Sequence, residues 1–151
     1  MLVQQWIDTG EKLTAYRCLT LFGAVLYLTQ TQRTEARPSL DSPDNIIEAM
    51  PAESDRGQTT RARDRSLMEF APRMAEAFPR HSILGCDILR EHSTGRLYAL
   101  EVNGGGNVWH FSSPRTAPWR TFEKTLSLRT EFSSFEIAAE VLARKTRLEA
   151  R

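Results

Sequence analysis

Lysine is scarce in this sequence, since only Lys12, Lys124 and Lys145 stand among 20 basic residues. The formal net charge is +1. Such a balance does not provide the excess of positive charge with which many nucleic-acid-binding domains attract phosphates, so we expect no nucleic-acid partner. There are only two cysteines, Cys18 and Cys86, with no CxxC spacing. Each lies in an apolar run, which favours buried free thiols in a reducing compartment over a disulfide.

Long hydrophobic runs are also missing. The longest, LTLFGAVLYL, is interrupted by Gly23 and reaches about half the length that crosses a bilayer. Met1 is followed by Leu-Val-Gln-Gln-Trp, without the basic residues that open a secretory signal. We therefore expect a cytoplasmic protein with no membrane partner. The length of 151 residues predicts a single domain over 1–151.

Runs rich in β-formers predict several strands. Val3 to Gly10 is one, and Tyr16 to Gln32 contains two more around a II′ turn at Gly23-Ala24. Residues 31–63 lack periodicity and contain Pro38, Pro43 and Pro51, so we expect a long loop there. Two further strands, SILGCDILRE and RLYALEVN, are joined across HSTG.

Two segments have helical character. Apolar residues at helical spacing predict a helix from Asp64 to Phe78, kinked or restarted at Pro72. Near the C-terminus, Ser133 and Glu136 have the spacing of a capping box. The apolar face of that last helix is predicted to be Phe135, Ala138, Ala139 and Leu142. The predicted fold is α+β, an antiparallel sheet with two main helices packed on it.

The stretch LYALEVNGGGNVWHF ends an apolar strand with Glu101 and Asn103 and then loses its side chains over three glycines. On the preceding strand lies Asp87. If the hairpin loop has three residues ending in Gly95, His92 pairs with Arg96 and Asp87 lies opposite Glu101. A four-residue loop would instead place Asp87 opposite Leu100. Glycine at the last loop position favours the first register.

Two carboxylates facing each other on a partly buried sheet require a proton or a cation between them. Together with the amide oxygen of Asn103, Asp87 and Glu101 would offer three hard oxygen ligands, the type that Mg²⁺ or Mn²⁺ prefers. No histidine or cysteine shares the cluster, which argues against zinc. The alternative is structural, because an acidic residue in a strand usually faces solvent and a triple glycine is usually a flexible turn.

Gly104, Gly105 and Gly106 remove side chains where a ligand would approach, and their N–H groups could meet an anion. Arg17, within a run of Leu, Thr and Phe, has two interpretations. It could hold a phosphate or carboxylate bidentately, or it could form a structural ion pair.

The segment GCDILREHSTGRLYALEVNGGGNVWHFSS resembles the C-terminal half of the ATP-grasp fold, the module of carboxylate–amine ligases. VQQWIDTG and YRCLTLFGAVLYL are similar to the strand and hairpin that precede it there. The resemblance implies that Asp87, Glu101 and Asn103 hold magnesium on the phosphates of ATP. It also implies that Gly104–Gly106 and Asn107 contact the nucleotide and that Arg17 is catalytic. The family phosphorylates a small carboxylate substrate to an acyl phosphate, which an amine or thiol attacks.

The chain departs from the family in two respects. Gly104 stands where many relatives have proline. The glycine-rich flap and the phosphate-binding lysines of the preceding lobe have no counterpart, because no lysine lies on a glycine-rich strand. We therefore expect a truncated, magnesium-binding half that is inactive alone and pairs with a missing lobe or with itself. The alternative is a non-catalytic relic, or a protein-interaction module that retains the fold.

Overall fold

The computed structural model describes residues 5–37, 57–105 and 132–150. These residues form an α+β fold, as predicted, with a five-stranded antiparallel sheet in the order β3-β2-β1-β4-β5 and two helices. The elements are β1 (Thr14–Leu21), β2 (Ala24–Arg33), β3 (Gly57–Arg61), α1 (Arg65–Glu76), β4 (Ile83–Arg90), β5 (Leu97–Asn103) and α2 (Ser134–Glu149). Neither helix in this described part is long and apolar enough to span a bilayer.

The two helices cover opposite faces of the sheet. Cys18 belongs to a core cluster with the buried residues of α1, whereas its neighbour Leu19 belongs to a cluster with Ala138 and Val141 of α2. Because successive side chains of a strand point to opposite faces, α1 and α2 lie on different sides. A third, smaller cluster joins Ala15 and Leu89. Ala15 and Leu19 have the same parity on β1, so this cluster lies on the α2 side.

The β1–β2 hairpin turns one residue earlier than predicted. Its turn residues are Phe22 and Gly23, with φ values of 49° and 82°. Two consecutive positive φ values define a type I′ turn, so the predicted II′ turn at Gly23-Ala24 is wrong. The sequence favoured II′ because that turn takes glycine as its first residue, whereas a phenylalanine such as Phe22 rarely adopts the positive φ found here.

Two predictions about irregular segments are also wrong. The described part of the first predicted strand, residues 5–10, is not in a strand. The side-chain carboxylate of Asp8 accepts a hydrogen bond from the N–H of Gly10 there, and this contact turns the chain. The predicted loop over 31–63 contains the end of β2 and the whole of β3. Its edge strand GQTTR escaped notice because it has no buried face to impose an apolar alternation.

Helix α1 confirms the predicted helix, although it ends at Glu76 rather than Phe78 and does not restart at Pro72. Asp64 is its N-cap, accepting from the N–H of Leu67, and the helix continues through Pro72. Arg90 of β4 reaches the same cap with an Nη2–Oδ2 distance of 2.8 Å to Asp64. The start of α1 is therefore fixed both by its own backbone and by the sheet.

Helix α2 begins where predicted but packs differently. Ser133 has left-handed φ and ψ of 48° and 40° and makes no side-chain cap hydrogen bond, so the capping box is wrong. The hydroxyl of Ser134 instead donates to the carbonyl of Leu26 at 2.6 Å. Phe135 and Leu142, predicted to face the core, are exposed, and Val141 is buried. Of the predicted face only Ala138 is buried, in one core cluster with Val141, whereas Ala139 is also exposed. The bond from Ser134 ties the start of α2 to β2.

Candidate functional site

Asp87 and Glu101 are directly opposite each other on β4 and β5, as predicted, but not for the predicted reason. The hairpin loop has four residues, 92–95, closed by a hydrogen bond from the N–H of Glu91 to the carbonyl of Arg96 at 2.9 Å. His92 does not pair with Arg96 and donates its N–H to Asp8. Ile88 pairs with Ala99 and Asp87 with Glu101, so Leu100 is an additional residue in β5. This β-bulge shifts the register by one and brings the carboxylates into opposition.

Asp87 lies on an interior strand of the sheet, next to the edge strand β5. Its strand lies between β1 and β5, and its side chain is completely buried. Arg17, its pairing partner on β1, binds it with two contacts, Nε to Oδ1 at 2.7 Å and Nη2 to Oδ2 at 2.8 Å. This bidentate geometry is the strongest that arginine and a carboxylate adopt, and it supplies the counter-charge that a buried carboxylate requires.

Asn103 joins the same group from the end of β5. Its Nδ2 donates to Oδ2 of Asp87 at 3.2 Å. The residue opposite Asn103 is Gly85, which has no side chain to fill the space between them. Asn103 can therefore lean diagonally toward Asp87, and it faces the same side of the sheet as Glu101, two residues earlier.

Glu101 differs from Asp87 in its exposure and in its contacts. Its side chain is exposed, and among the residues that the structure describes it forms no hydrogen bond or ion pair. Directly opposed residues have Cβ atoms about 5 Å apart. Glu101 thus places an exposed carboxylate directly opposite the buried Asp87.

The donor set agrees in kind with a hard divalent cation, since it contains two carboxylates and one amide. The hydrogen bonds of these residues, however, are not arranged around a cation. Both oxygens of Asp87 hold Arg17, and Asn103 directs its N–H rather than its carbonyl oxygen at Asp87. No group of three His, Cys, Asp or Glu residues within the described ranges could hold a metal ion. A cation here would therefore depend on Asn103 as the third ligand and on a rearrangement around Asp87.

The glycines that follow β5 are only partly described. A Cβ atom on Gly104 would lie 2.9 Å from Cδ2 of His81, whereas one on Gly105 would meet nothing within 4 Å. A side chain at position 104 would therefore require the exposed imidazole of His81 to move, and position 105 has open space. Gly106 and Asn107, the other predicted nucleotide contacts, lie outside the described residues.

Sequence reasoning brought Asp87, Glu101 and Asn103 to one sheet face but did not place Arg17 on that face or pair it with Asp87. The ion pair stood as an alternative for Arg17 without a named partner. A signal was available, because Arg17 and Asp87 are charged residues inside two otherwise apolar runs. Buried charges in adjacent strands are expected to find each other.

The face behind the site contains the two cysteines. Cys18 and Cys86 are paired residues of β1 and β4, both fully buried and free. Burial, together with the charge of the neighbouring Asp87, raises the pKa of the Cys86 thiol to about 11. Burial also raises the pKa of Cys18. Their burial confirms the prediction that they behave as small core residues.

No family model matches the chain, and a search of curated proteins found none with significant similarity to it.

Proposed function

We propose that this chain is the magnesium- and ATP-binding half of an ATP-grasp ligase-like protein. The observation that supports this most is the pairing of Asp87 with Glu101, with Asn103 on the same face. Two opposed carboxylates and an amide at the end of neighbouring strands offer the oxygen ligands that a hard divalent cation uses. The bulge at Leu100 supports it as well, since such irregularities often re-aim side chains beside functional sites.

In the proposed role each residue has a simple task. Glu101, being exposed, would give the cation its first oxygen, and Asn103 and Asp87 would complete the set. Arg17 would hold an anionic oxygen of the phosphate or of the acyl phosphate through its fork of N–H groups. A bound Mg²⁺ would supply charge neutralisation on the phosphates during transfer.

The chain alone is proposed to be inactive. Lys12 and Lys145 are the only lysines among the described residues, and the ammonium of Lys145 lies over the ring of Phe22, 5.1 Å from its centroid. Lys12 precedes β1 and Lys145 lies on α2, so neither lies on a glycine-rich strand where it could bind phosphate. We propose that a complementary lobe supplies these groups and the small carboxylate substrate site.

The cation site is tested by titrating Mn²⁺ and following the paramagnetic relaxation of water protons. We expect weak binding that is lost in Glu101→Gln and in Asp87→Asn. Glu76→Gln is the matched control, because it removes one exposed carboxylate of α1, and it should bind Mn²⁺ like the unaltered chain. Equal binding by all four proteins would reject the site.

Inactivity of the chain alone is tested by incubating it with ATP and Mg²⁺ and measuring phosphate release. We expect no turnover above the rate in buffer. Steady release by the unaltered chain that disappears in Glu101→Gln would contradict the half-enzyme proposal and would indicate a complete site.

A second candidate function is a non-catalytic module that retains the fold. The closed Arg17–Asp87 pair favours it, because Asp87 already has a cation partner within the protein. In that case Mn²⁺ would not bind, and Glu101→Gln would change neither metal affinity nor stability.

A further inference from the structure

Three N–H groups converge on the carboxylate of Asp87. Nε of Arg17 donates to Oδ1, and Nη2 of Arg17 and Nδ2 of Asn103 both donate to Oδ2. The side chain of Asp87 is fully buried. A cation that uses these oxygens must therefore replace donors that are already in place.

The cation and the guanidinium carry charges of the same sign. Coordination of a divalent ion at Asp87 would bring it within a few ångströms of Arg17, where repulsion between buried like charges is strong. The arrangement does not favour both partners on one carboxylate. One of the two has to leave Asp87.

Arg17 is the member of the pair that can move. Its side chain is 24% exposed, whereas that of Asp87 has no exposure. The side chain of Arg17 therefore has access to solvent, and that of Asp87 has none. Glu101, exposed and directly opposite Asp87, lies where an arriving cation would first meet a carboxylate.

We infer that Arg17 and a divalent cation are alternative partners of Asp87. This inference rests on the proposed function of the site. When the cation binds, Asp87 passes from the guanidinium to the metal, and Asn103 turns its amide oxygen toward it. The released Arg17 then stays on the same face as a positive group able to bind an oxyanion. Cation and oxyanion binding are thus coupled through one arginine.

The exchange can be observed directly in the unaltered protein. Arginine Nε–H groups held by a buried carboxylate exchange slowly with water and give separate peaks in ¹H–¹⁵N spectra, and the Arg17 peak is assigned by its absence in Arg17→Lys. Titration with Mg²⁺ should weaken or shift that peak in step with the amide peaks of Glu101 and Asn103. Inorganic phosphate should move the Arg17 peak after Mg²⁺ and not before it.

The result that overturns the inference is distinct from the one that overturns the function. If the amides of Glu101 and Asn103 respond to Mg²⁺ while the Arg17 peak stays unchanged, the cation site stands and the exchange is wrong. If neither Mg²⁺ nor Mn²⁺ has any effect, both are wrong. A phosphate effect of equal size without Mg²⁺ would contradict the coupling.

A variant gives the independent measurement. Arg17→Gln removes the competing charge and should bind Mn²⁺ about tenfold more tightly, the scale on which one neighbouring charge shifts the ionisation of a carboxylate. Arg17→Lys keeps the charge and should stay near the affinity of the unaltered chain. Circular dichroism at the titration temperature shows whether each variant is folded. Equal or weaker binding by folded Arg17→Gln would contradict the competition.

Discussion

Asp87 and Glu101 are direct neighbours across two strands, yet one is fully buried and the other is exposed. The difference arises from β1, the strand on the other side of β4. Arg17 on β1 lies opposite Asp87 and neutralises it through two hydrogen bonds. The charge conflict expected of two opposed carboxylates is therefore already resolved within the protein, on the side of Asp87 alone. Glu101 is left with its charge facing solvent.

This asymmetry predicts unequal costs for removing the two members of the ion pair. Arg17→Met leaves a buried carboxylate without its counter-charge and should lower the free energy of unfolding by about 3–5 kcal/mol. Asp87→Asn should cost less, because the amide oxygen still accepts from Arg17 and the partly exposed guanidinium can reach water. Urea unfolding followed by circular dichroism measures both. A larger loss in Asp87→Asn than in Arg17→Met would contradict this account.

The same pair of carboxylates illustrates how far the sequence predicts the site. A three-residue loop was assumed in order to bring the face of Asp87 together with that of Glu101 and Asn103. The two-residue period of the side chains showed only which residues share a face within each strand. It could not reveal the four-residue loop and the bulge at Leu100, whose register shifts cancel. Both depend on backbone hydrogen bonds, which any residue can make.

Elements without a strong apolar period were predicted least well. Helix α1 combines an aspartate cap with a regular buried stripe, and both signals agree. Helix α2 has alanines on several sides, so tertiary contacts decide which side is buried, and these include the bond from Ser134 to Leu26 and the packing of Val141 in the core. The edge strand β3 pairs through its backbone, with Thr31 and Thr59 in side-chain contact at 3.1 Å. Such polar pairing has no apolar signature in the sequence.

The cap of α1 gives a prediction that depends on pH. Burial acts to raise the pKa of Asp64, but hydrogen bonds from Ser66 and Leu67 and the charge of Arg90 outweigh it and lower the pKa. A carboxyl group with a lowered folded-state pKa contributes stability above its unfolded pKa of about 3.9, and the contribution is lost as the pH falls through the folded value. Asp64→Ala should therefore cost about 1–2 kcal/mol at pH 7, and less below pH 4.

Asp64→Asn is the matched control for this cap. Asparagine still accepts from the N–H of Leu67, so only the charge opposite Arg90 is lost, a contribution below about 1 kcal/mol for a partly exposed pair. Thermal unfolding at pH 3, 5 and 7 compares the three proteins. An Asp64→Ala cost that does not change with pH would show that the charge of Asp64 is not involved.

Two glycines should respond differently to alanine. Gly10 has a φ of 102°, and a Cβ there would also lie 3.2 Å from Nδ1 of His92, so Gly10→Ala should destabilise the fold by about 1–2 kcal/mol. Gly104→Ala meets only the exposed ring of His81, which can swing aside, and should cost less than about 0.5 kcal/mol. Urea unfolding decides between them. A high cost at Gly104 would mean that His81 is fixed in place.

The opposed thiols predict a loss of stability in alkaline solution. Burial raises the pKa values of Cys18 and Cys86, the latter to about 11, whereas thiols of an unfolded chain titrate near 8.5. A group whose folded-state pKa is raised contributes stability below its unfolded pKa and loses it as the pH rises toward the folded value. Between about pH 9 and pH 11, two such thiols should reduce the free energy of unfolding by up to about 2.7 kcal/mol per pH unit.

The double variant Cys18→Ala/Cys86→Ala removes both thiols and should lack this part of the slope, although its smaller side chains also lower stability at pH 7. Comparing slopes rather than absolute stabilities separates the titration of the thiols from the packing defect. The tyrosines also ionise in this range, but they are present in both proteins, so their contribution to the slopes cancels. Urea unfolding in the presence of a phosphine reductant at pH 8, 9 and 10 gives both slopes.

The native protein should also react slowly with Ellman's reagent at pH 8, because buried thiols are shielded and mostly protonated. Parallel slopes together with fast labelling would mean that β1 and β4 separate readily at Cys18 and Cys86. The pairing of β1 with β4, which also holds the Arg17–Asp87 pair on the other face of the sheet, would then open far more easily than expected of two interior strands.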